Sequence, residues 1–431
     1  GTLAAHVLGY TQPITEKEFK TLADQGYEIR DRIGRIGVEA AYEPHLRGKW
    51  GGQMLEVNAM GEVQRSLGDK PSQAGKDLLL TLDLDLQLAA EKALEDKPGG
   101  AVVALDPRNG AIRAMASRPA FDPNFFSKLF TTQKEYDKLF ASSSKPLLSR
   151  AMNAYDPGST WKPVTSMAGM ESGKFLPDVR LKTAACITYG GHCFPDHNGV
   201  GFGTIGYEDA LRFSSNTFFY QVGVGVGSKA LYEAAIKLGF DARTGIEIGY
   251  EESKGLVGHQ AWAAKGRGWA EAGTTPWIPE DMASASIGQS VVQITPLQLA
   301  RAYAVFANGG FLVTPHLADG AIDWTSSLRR IKVDIKPSTL ATIRRGLRKV
   351  VQDGTGSGLN LPNFPQVAGK TGTAEDSTGG SDHAWFACFA PYQSAEIVVV
   401  AFAQNTPGGG SVHALPMARQ VLQAWNRTRS S

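Results

Sequence analysis

Short apolar runs and helical spacings alternate along the chain and divide it unevenly. The first 98 residues are polar and turn-rich, interrupted by Gly34, Gly37, Gly48, Gly51, Gly52 and Gly61. Between these breaks, residues 53–59 and 77–82 read as strands. Residues 84–94 follow, with Leu86, Ala89, Ala90 and Ala93 at helical spacing. Lys97-Pro98-Gly99-Gly100 is a cluster of breakers and the best place for a domain boundary, giving units 1–98 and 99–431. Residues 101–105 then form an apolar strand. Asp106-Pro107-Arg108-Asn109-Gly110 is a turn, in which Pro presets φ and Asn-Gly accepts positive φ. Residues 112–116 return as the second strand of a hairpin.

Three more strands are expected late, at residues 367–374, 384–390 and 397–403. The middle is helical. Thr295-Pro296 opens a helix that Asn308-Gly309-Gly310 closes, and residues 207–213, 338–351 and 415–425 read as further helices. Two strands early, three late and helices between predict an α+β fold built on one antiparallel sheet. The basic cluster Arg344, Arg345, Arg348 and Lys349 reads as a solvated helix face.

Composition narrows the class. Of 431 residues, 42% are hydrophobic and 20% charged, an ordinary globular balance that excludes wholesale disorder. The formal net charge of +2 lacks the basic bias of a dedicated nucleic-acid binder. Three cysteines exclude a disulfide-dense scaffold. No apolar run reaches the roughly 18 residues of a membrane span. The chain begins Gly-Thr-Leu-Ala-Ala-His, without an initiator Met or the pattern of a signal peptide, and reads as a processed or trimmed soluble form.

Three short motifs carry chemistry. In Asp156-Pro157-Gly158-Ser159-Thr160-Trp161-Lys162, a turn precedes an apolar helix and sets Ser159 at its N-terminus. Ser159 and Lys162 are three apart and share a helix face. A serine hydroxyl is a weak nucleophile until a base takes its proton, and a buried lysine near another cation can be that base. The helix N-terminus favours a developing oxyanion. Alone, Ser-x-x-Lys arises by chance, and an N-cap serine beside a surface lysine is the bland reading. In Ser214-Ser215-Asn216, residues two apart on extended backbone would face one cleft, the hydroxyl relaying a proton and the amide binding a substrate carbonyl. A plain cap or turn is the bland reading here. In Lys370-Thr371-Gly372-Thr373, on a strand, Lys370 supplies positive potential and the two threonine hydroxyls suit a substrate carboxylate. Gly372 would let a substrate peptide lie close, and the N–H groups of Thr373 and Ser159 would form an oxyanion hole.

Together and in this order, the three motifs resemble the set shared by β-lactamases and penicillin-binding proteins. The chain resembles class B penicillin-binding proteins, the D,D-transpeptidases of peptidoglycan synthesis. Residues 100–123 (GAVVALDPRNGAIRAMASRPAFDP) are similar to the family's opening hairpin. Residues 286–300 (SIGQSVVQITPLQLA) are similar to the stretch before its long helix, and residues 32–48 (RIGRIGVEAAYEPHLRG) to its N-terminal pedestal. The pedestal and Asn216-Thr217-Phe218-Phe219-Tyr220 look most like elongation-type members.

The resemblance implies an elongated N-terminal pedestal followed by a penicillin-binding, β-lactamase-like transpeptidase domain. In that domain a five-stranded antiparallel sheet carries helices on both sides. It implies that Ser159 is acylated by stem peptides ending in D-Ala-D-Ala and by β-lactams. Lys162, Ser214, Asn216 and Lys370 would be catalytic, with Thr371, Gly372 and Thr373 binding substrate. No metal or organic cofactor is called for. Implied partners are a SEDS-type glycosyltransferase and other elongation proteins, met through the pedestal. The implied setting is the extracytoplasmic side of the inner membrane, with an N-terminal anchoring helix outside this sequence. A β-lactam-hydrolysing or D,D-carboxypeptidase enzyme, and a non-catalytic β-lactam sensor or scaffold, are the alternatives.

Cys186, His192, Cys193, Asp196 and His197 cluster between motifs. Some elongation-type relatives hold zinc near here, but Phe202 and Ser215 stand where those relatives place ligands. A Cys186–Cys193 disulfide, zinc held by Cys186, Cys193, Asp196 and His197, and free thiols stay open. Cys388, Trp161, Trp385 and Phe386 read as core residues.

Overall fold

The computed structural model describes residues 1–128, 130–264, 277–320, 330–375 and 381–430. The N-terminal region combines small paired strands with short helices, among them residues 16–22 and 37–41. β1 (Tyr10–Pro13) runs antiparallel to β2 (Arg32–Ile36), and β3 (Gly52–Val57) to β4 (Val63–Lys70). Every residue of β3 and β4 is exposed, so this hairpin stands clear of the body. Residues 77–82, expected as a strand, make only an isolated bridge from Leu80 to Ala318. The Thr81 side chain explains why: its hydroxyl donates to the Ile112 carbonyl at 2.8 Å, fastening the segment across the hairpin that follows.

α1 (Leu84–Ala93) starts at Asp83, whose carboxylate accepts from the Leu86 N–H. The sequence places this helix in the N-terminal unit, ahead of the breakers. Its packing places it elsewhere. Leu86, Ala90, Ala93 and Leu94 are buried with Val102, Ala104, Ala114 and Ala116, the inner residues of the next two strands. The breakers at residues 97–100 turn the chain from α1 into the sheet.

β5 (Gly100–Leu105) and β6 (Ile112–Arg118) form the expected hairpin. The middle of the chain supplies α2 (Lys162–Glu171), the small hairpin β7 (Cys186–Tyr189) and β8 (His192–Pro195), α3 (Tyr207–Phe213) and α4 (Asn216–Lys237). It continues with α5 (Pro296–Ala307) and α6 (Pro337–Asp353). α5 begins with a capping box between Thr295 and Gln298. β9 (Ala368–Ala374), β10 (His383–Ala390), β11 (Ile397–Ala403) and the terminal α7 (Ala414–Ser430) complete the fold.

The early and late strands join in one antiparallel sheet, in the order β9-β10-β11-β5-β6. β10 and β11 are buried along their whole length, as continuous apolar runs covered on both faces should be. Alternation divides them: Trp385, Ala387 and Phe389 join the core shared with α2, α4 and α5, while Phe386 and Cys388 join that under α1 and α7. Helices therefore cover both faces.

The basic cluster on α6 is solvated only in part: Arg345 is exposed, but all four side chains have partners in the fold. Arg344 donates to the carbonyls of Phe306, Ala307 and Tyr392. Arg345 and Lys349 pair with Glu208 at 2.6 and 3.1 Å, and Arg348 donates to the Val367 carbonyl at 3.0 Å. The cluster ties α6 to α3 and to the start of β9, both of which help to build the site below.

β9 is an edge strand. A short turn at residues 408–412 lies over it, and a Cβ at Gly410 would sit 2.2 Å from the Trp385 carbonyl oxygen and 2.5 Å from that of Gly372. Both are backbone atoms inside the sheet and cannot move aside. Gly410→Ala should therefore lower the unfolding free energy by about 1–3 kcal/mol, the usual range for overpacking. Urea unfolding measures this, and an unchanged midpoint would show that the turn can slide off the sheet.

Candidate active site

The turn before α2 is fixed from three sides. Trp385 Nε1 donates to the Asp156 carbonyl at 2.9 Å, the Gly158 N–H donates to the Gly288 carbonyl at 2.9 Å, and Thr160 Oγ1 donates to the Pro157 carbonyl at 2.8 Å. Gly158 has φ +53°, and a Cβ there would meet the Thr373 carbonyl oxygen at 2.3 Å, so only glycine lets the turn close on β9. A 3-10 turn, Gly158–Trp161, then leads into α2. Ser159 lies in it, partly exposed.

Lys162 is the first residue of α2 and is fully buried. Its Nζ donates to the Ser214 carbonyl (2.6 Å), to Ser214 Oγ (3.1 Å) and to Asn216 Oδ1 (2.7 Å). In its protonated form these three acceptors would take all of its protons. Among the described residues none joins it to Ser159 Oγ. Bonds of this kind commonly form only when substrate is present.

The Ser214-Ser215-Asn216 segment differs from its expected extended form. Ser214 ends α3 in the left-handed region at φ +58°, Ser215 caps α4 by accepting from the Phe218 N–H, and Asn216 is already helical. The chain passes from one helix to the next within two residues, leaving no length for a strand. The left-handed turn still brings Ser214 Oγ and Asn216 Oδ1 onto the same ammonium group.

Lys370 reaches this point from β9. Its Nζ donates to Ser214 Oγ at 2.9 Å and to the Thr371 carbonyl at 3.0 Å. Ser214 Oγ is thus shared by two buried lysines. Burial, and then the charge of Lys370, hold Lys162 well below the ordinary lysine range, while Asp196 acts in the other direction. Burial pushes Lys370 down to about 7. His197 falls to about 4, by burial and then by the two lysines.

The remaining residues of this motif divide. The Thr371 and Thr373 carbonyls both leave the sheet, one toward Lys370 Nζ and the other against Gly158. On an extended strand the Thr373 N–H therefore points off the same free edge. The Thr373 side chain is exposed. Thr371 is buried and shares a hydrogen bond of 2.7 Å with Thr355 Oγ1. At Gly372 a Cβ would lie 2.9 Å from both the Pro157 carbonyl oxygen and Thr160 Cγ2, so the missing side chain admits the Ser159 turn. Trp161, Trp385 and Phe386 are wholly buried core residues.

Cys186 and Cys193 form a disulfide, with Cα atoms 5.8 Å apart, and Cys388 is a free, buried thiol. That bond removes both sulfurs from the candidate zinc set. The Asp196 oxygens are occupied as well, by Ser215 Oγ, Thr217 Oγ1 and the N–H groups of Asn216 and His197. Thr355 is a site residue that no motif announces, and Phe219, over whose ring Lys162 Nζ lies at 5.6 Å, lends the 216–220 run a place in the site.

A serine on a helix start, two buried lysines joined through a second hydroxyl, and a sheet-edge strand alongside define a serine acyltransferase site of the β-lactamase and penicillin-binding type. Comparison with known proteins narrows this. The family model of the penicillin-binding protein transpeptidase domain matches residues 100–423, and that of the penicillin-binding protein dimerisation domain residues 1–80. Peptidoglycan D,D-transpeptidase MrdA of Acinetobacter baumannii is 34% identical across the whole chain, which covers 66% of that relative. MrdA of Escherichia coli K12 is 30% identical over 98% of the chain and 70% of its own length. The chain therefore spans about two thirds of these relatives. Pseudomonas aeruginosa PBP2 in complex with WCK 5153 superposes with a TM-score of 0.82 at 29% identity, covering 98% of this chain and 90% of that one. The complex between PBP2 and MreC from Helicobacter pylori gives 0.87 at 26% identity, over 99% and 78%. The chain belongs to the class B penicillin-binding proteins, and its relatives are of the elongation type.

The buried lysines make stability depend on pH. An unfolded lysine titrates near 10.5 and Lys370 near 7. Between these values the unfolded chain binds more protons, so stability rises with pH across the window. Urea unfolding at the neutral and the alkaline end should show the parent gaining more from alkali than Lys370→Met. Equal gains would mean that Lys370 keeps its proton in the fold.

Proposed function

We propose that this chain is a serine D,D-transpeptidase that cross-links peptidoglycan stem peptides ending in D-Ala-D-Ala. One observation carries the reading. Lys162 Nζ, Ser214 Oγ and Lys370 Nζ form a hydrogen-bonded chain of 3.1 and 2.9 Å beside the turn that bears Ser159. Ser159 Oγ attacks the carbonyl of the penultimate D-Ala, and Lys162, kept easy to deprotonate, takes the hydroxyl proton. The oxyanion is held by the main-chain N–H groups of Ser159 and Thr373. The peptide C–N bond then breaks, and Ser214 passes a proton from the lysine pair to the departing D-Ala amine. An amine of a neighbouring stem attacks the ester, the proton path runs in reverse, and Ser159 is released with a new amide formed.

Asn216 holds Lys162 and stands beside the substrate backbone. Lys370 and the exposed Thr373 hydroxyl face the terminal carboxylate. β-Lactams imitate that terminus and acylate the same serine. The setting that fits is the cell envelope, on the outer side of the inner membrane, with the protein tethered there. A SEDS-type glycosyltransferase and other elongation proteins would meet its N-terminal region. The complex of the Helicobacter pylori relative with MreC supports such an assembly.

Labelling with a fluorescent penicillin followed by peptide mapping tests this. The adduct should map to Ser159, persist for minutes to hours and vanish in Ser159→Ala. Lys162→Ala should slow acylation by about 10²–10⁴-fold, the usual share of a general base. An adduct elsewhere, or rapid turnover of the penicillin, would overturn the reading, the latter in favour of a hydrolytic enzyme.

A further inference from the structure

We propose that Asp196 is the positioning residue of this site: its carboxylate, set at the end of a disulfide-closed hairpin, holds residues 215–217, directly after the Ser214 turn, in the geometry that brings Ser214 and Asn216 onto Lys162. The proposal deepens the transpeptidase reading and rests on it.

Asp196 is only 3% exposed. Its Oδ1 accepts from the N–H groups of His197 (2.7 Å) and Asn216 (2.5 Å), and its Oδ2 from Ser215 Oγ (2.7 Å) and Thr217 Oγ1 (2.5 Å). Three successive residues, 215 to 217, are thus gripped by one carboxylate, and its four lone-pair sites are filled. The residue just before them, Ser214, is the left-handed C-cap of α3 at φ +58°, closed by the Ser215 N–H donating to the Ala210 carbonyl at 2.9 Å. Asp196 fixes the residues that follow this turn.

Asp196 is itself held. Its N–H donates to the Ala185 carbonyl at 2.9 Å, and the preceding Pro195 carbonyl accepts from Asn216 Nδ2 and the Tyr220 hydroxyl. Pro195 ends β8, where it pairs with Cys186, and the Cys186–Cys193 disulfide closes β7 onto β8. Positional information therefore runs from the hairpin through Asp196 to Ser214.

The negative charge acts too. Lys162 on α2, Lys370 on β9, the adjacent His197 and Tyr220 on α4 are the titratable groups that feel it or share its surroundings. Asp196 is the group that favours the protonated form of Lys162 against burial and against Lys370. An asparagine at 196 would keep the shape but offer a single acceptor oxygen and no charge.

The test is the rate of acylation by fluorescent penicillin as a function of pH, on the full chain. Asp196→Asn should lose about a hundredfold, the order of loss that a small misplacement of reacting groups produces. The acid limb of its profile should also move to lower pH, since Lys162 loses its proton more easily. Ser215→Ala combined with Thr217→Val removes two donors but leaves the charge, so the rate should fall with the acid limb unmoved. Should thermal melting find Asp196→Asn unfolded, the double variant decides: a parental rate there overturns the proposal. A parental rate in folded Asp196→Asn, or a loss with no movement of its acid limb, also overturns it. These outcomes leave the parent labelled at Ser159. A parent not labelled there would instead overturn the transpeptidase reading beneath.

Discussion

Two ammonium groups share one hydroxyl in a space closed to water, and the site is organised around that fact. Burial disfavours the charged form of a lysine, and a second cation nearby disfavours it further. The fold meets this by giving every proton of Lys162 an acceptor, two of them on Ser214. Burial and the neighbouring charge outweigh these bonds, so the pair gives up its protons easily. A serine nucleophile needs such a base near neutral pH. In open water the same residues would be two ordinary surface cations with no such property.

That requirement explains how the surrounding structure is built. The three groups come from α2, from the junction of α3 with α4, and from β9, far apart in sequence. α2 is buried from Lys162 to Met170, as a helix running through a core must be. β9 is an edge, and an edge normally invites stray pairing. Here the Ser159 turn approaches it closely, which is possible because residues 158 and 372 are glycines. α6 joins α3 to β9 through Arg345, Lys349 and Arg348, so two of the three contributors are tied to one rigid helix.

Much of this was legible in the sequence, for reasons that also set the limit. The sheet strands are apolar runs between breakers, and their signal is local. The three motifs were legible because each carries its own residue types in order. What the sequence hid depends on distant partners. Ser214-Ser215-Asn216 reads as extended because nothing nearby says that Asp196 will grip it. The partner of Thr371 is hidden because Thr355 lies on another segment. Arg344 and Arg348 read as solvated because their acceptors are carbonyls, which the sequence does not mark. α1 reads as N-terminal because the breakers follow it, yet its apolar face belongs to the sheet.

The same distinction between local and distant contacts bears on how the N-terminal region relates to the chemistry. Its tip, the hairpin β3–β4, is exposed throughout and displays Met54, Val57, Met60, Val63 and Leu67. Its base is fastened. The Ala4 N–H donates to Glu91 Oε1 at 3.0 Å, and Glu91 pairs with Arg118 of β6 at 2.6 Å. The Tyr42 hydroxyl donates to Glu247 at 2.8 Å, and Glu247 also accepts from the Leu317 N–H. A partner can therefore take hold of the tip without touching the lysine pair. For binding there to alter the chemistry, the effect must pass through this base, and the base meets the sheet at β6, the edge opposite β9. Coupling then passes through the five-stranded sheet, the helices lying over it, or the Tyr42–Glu247–Leu317 contact.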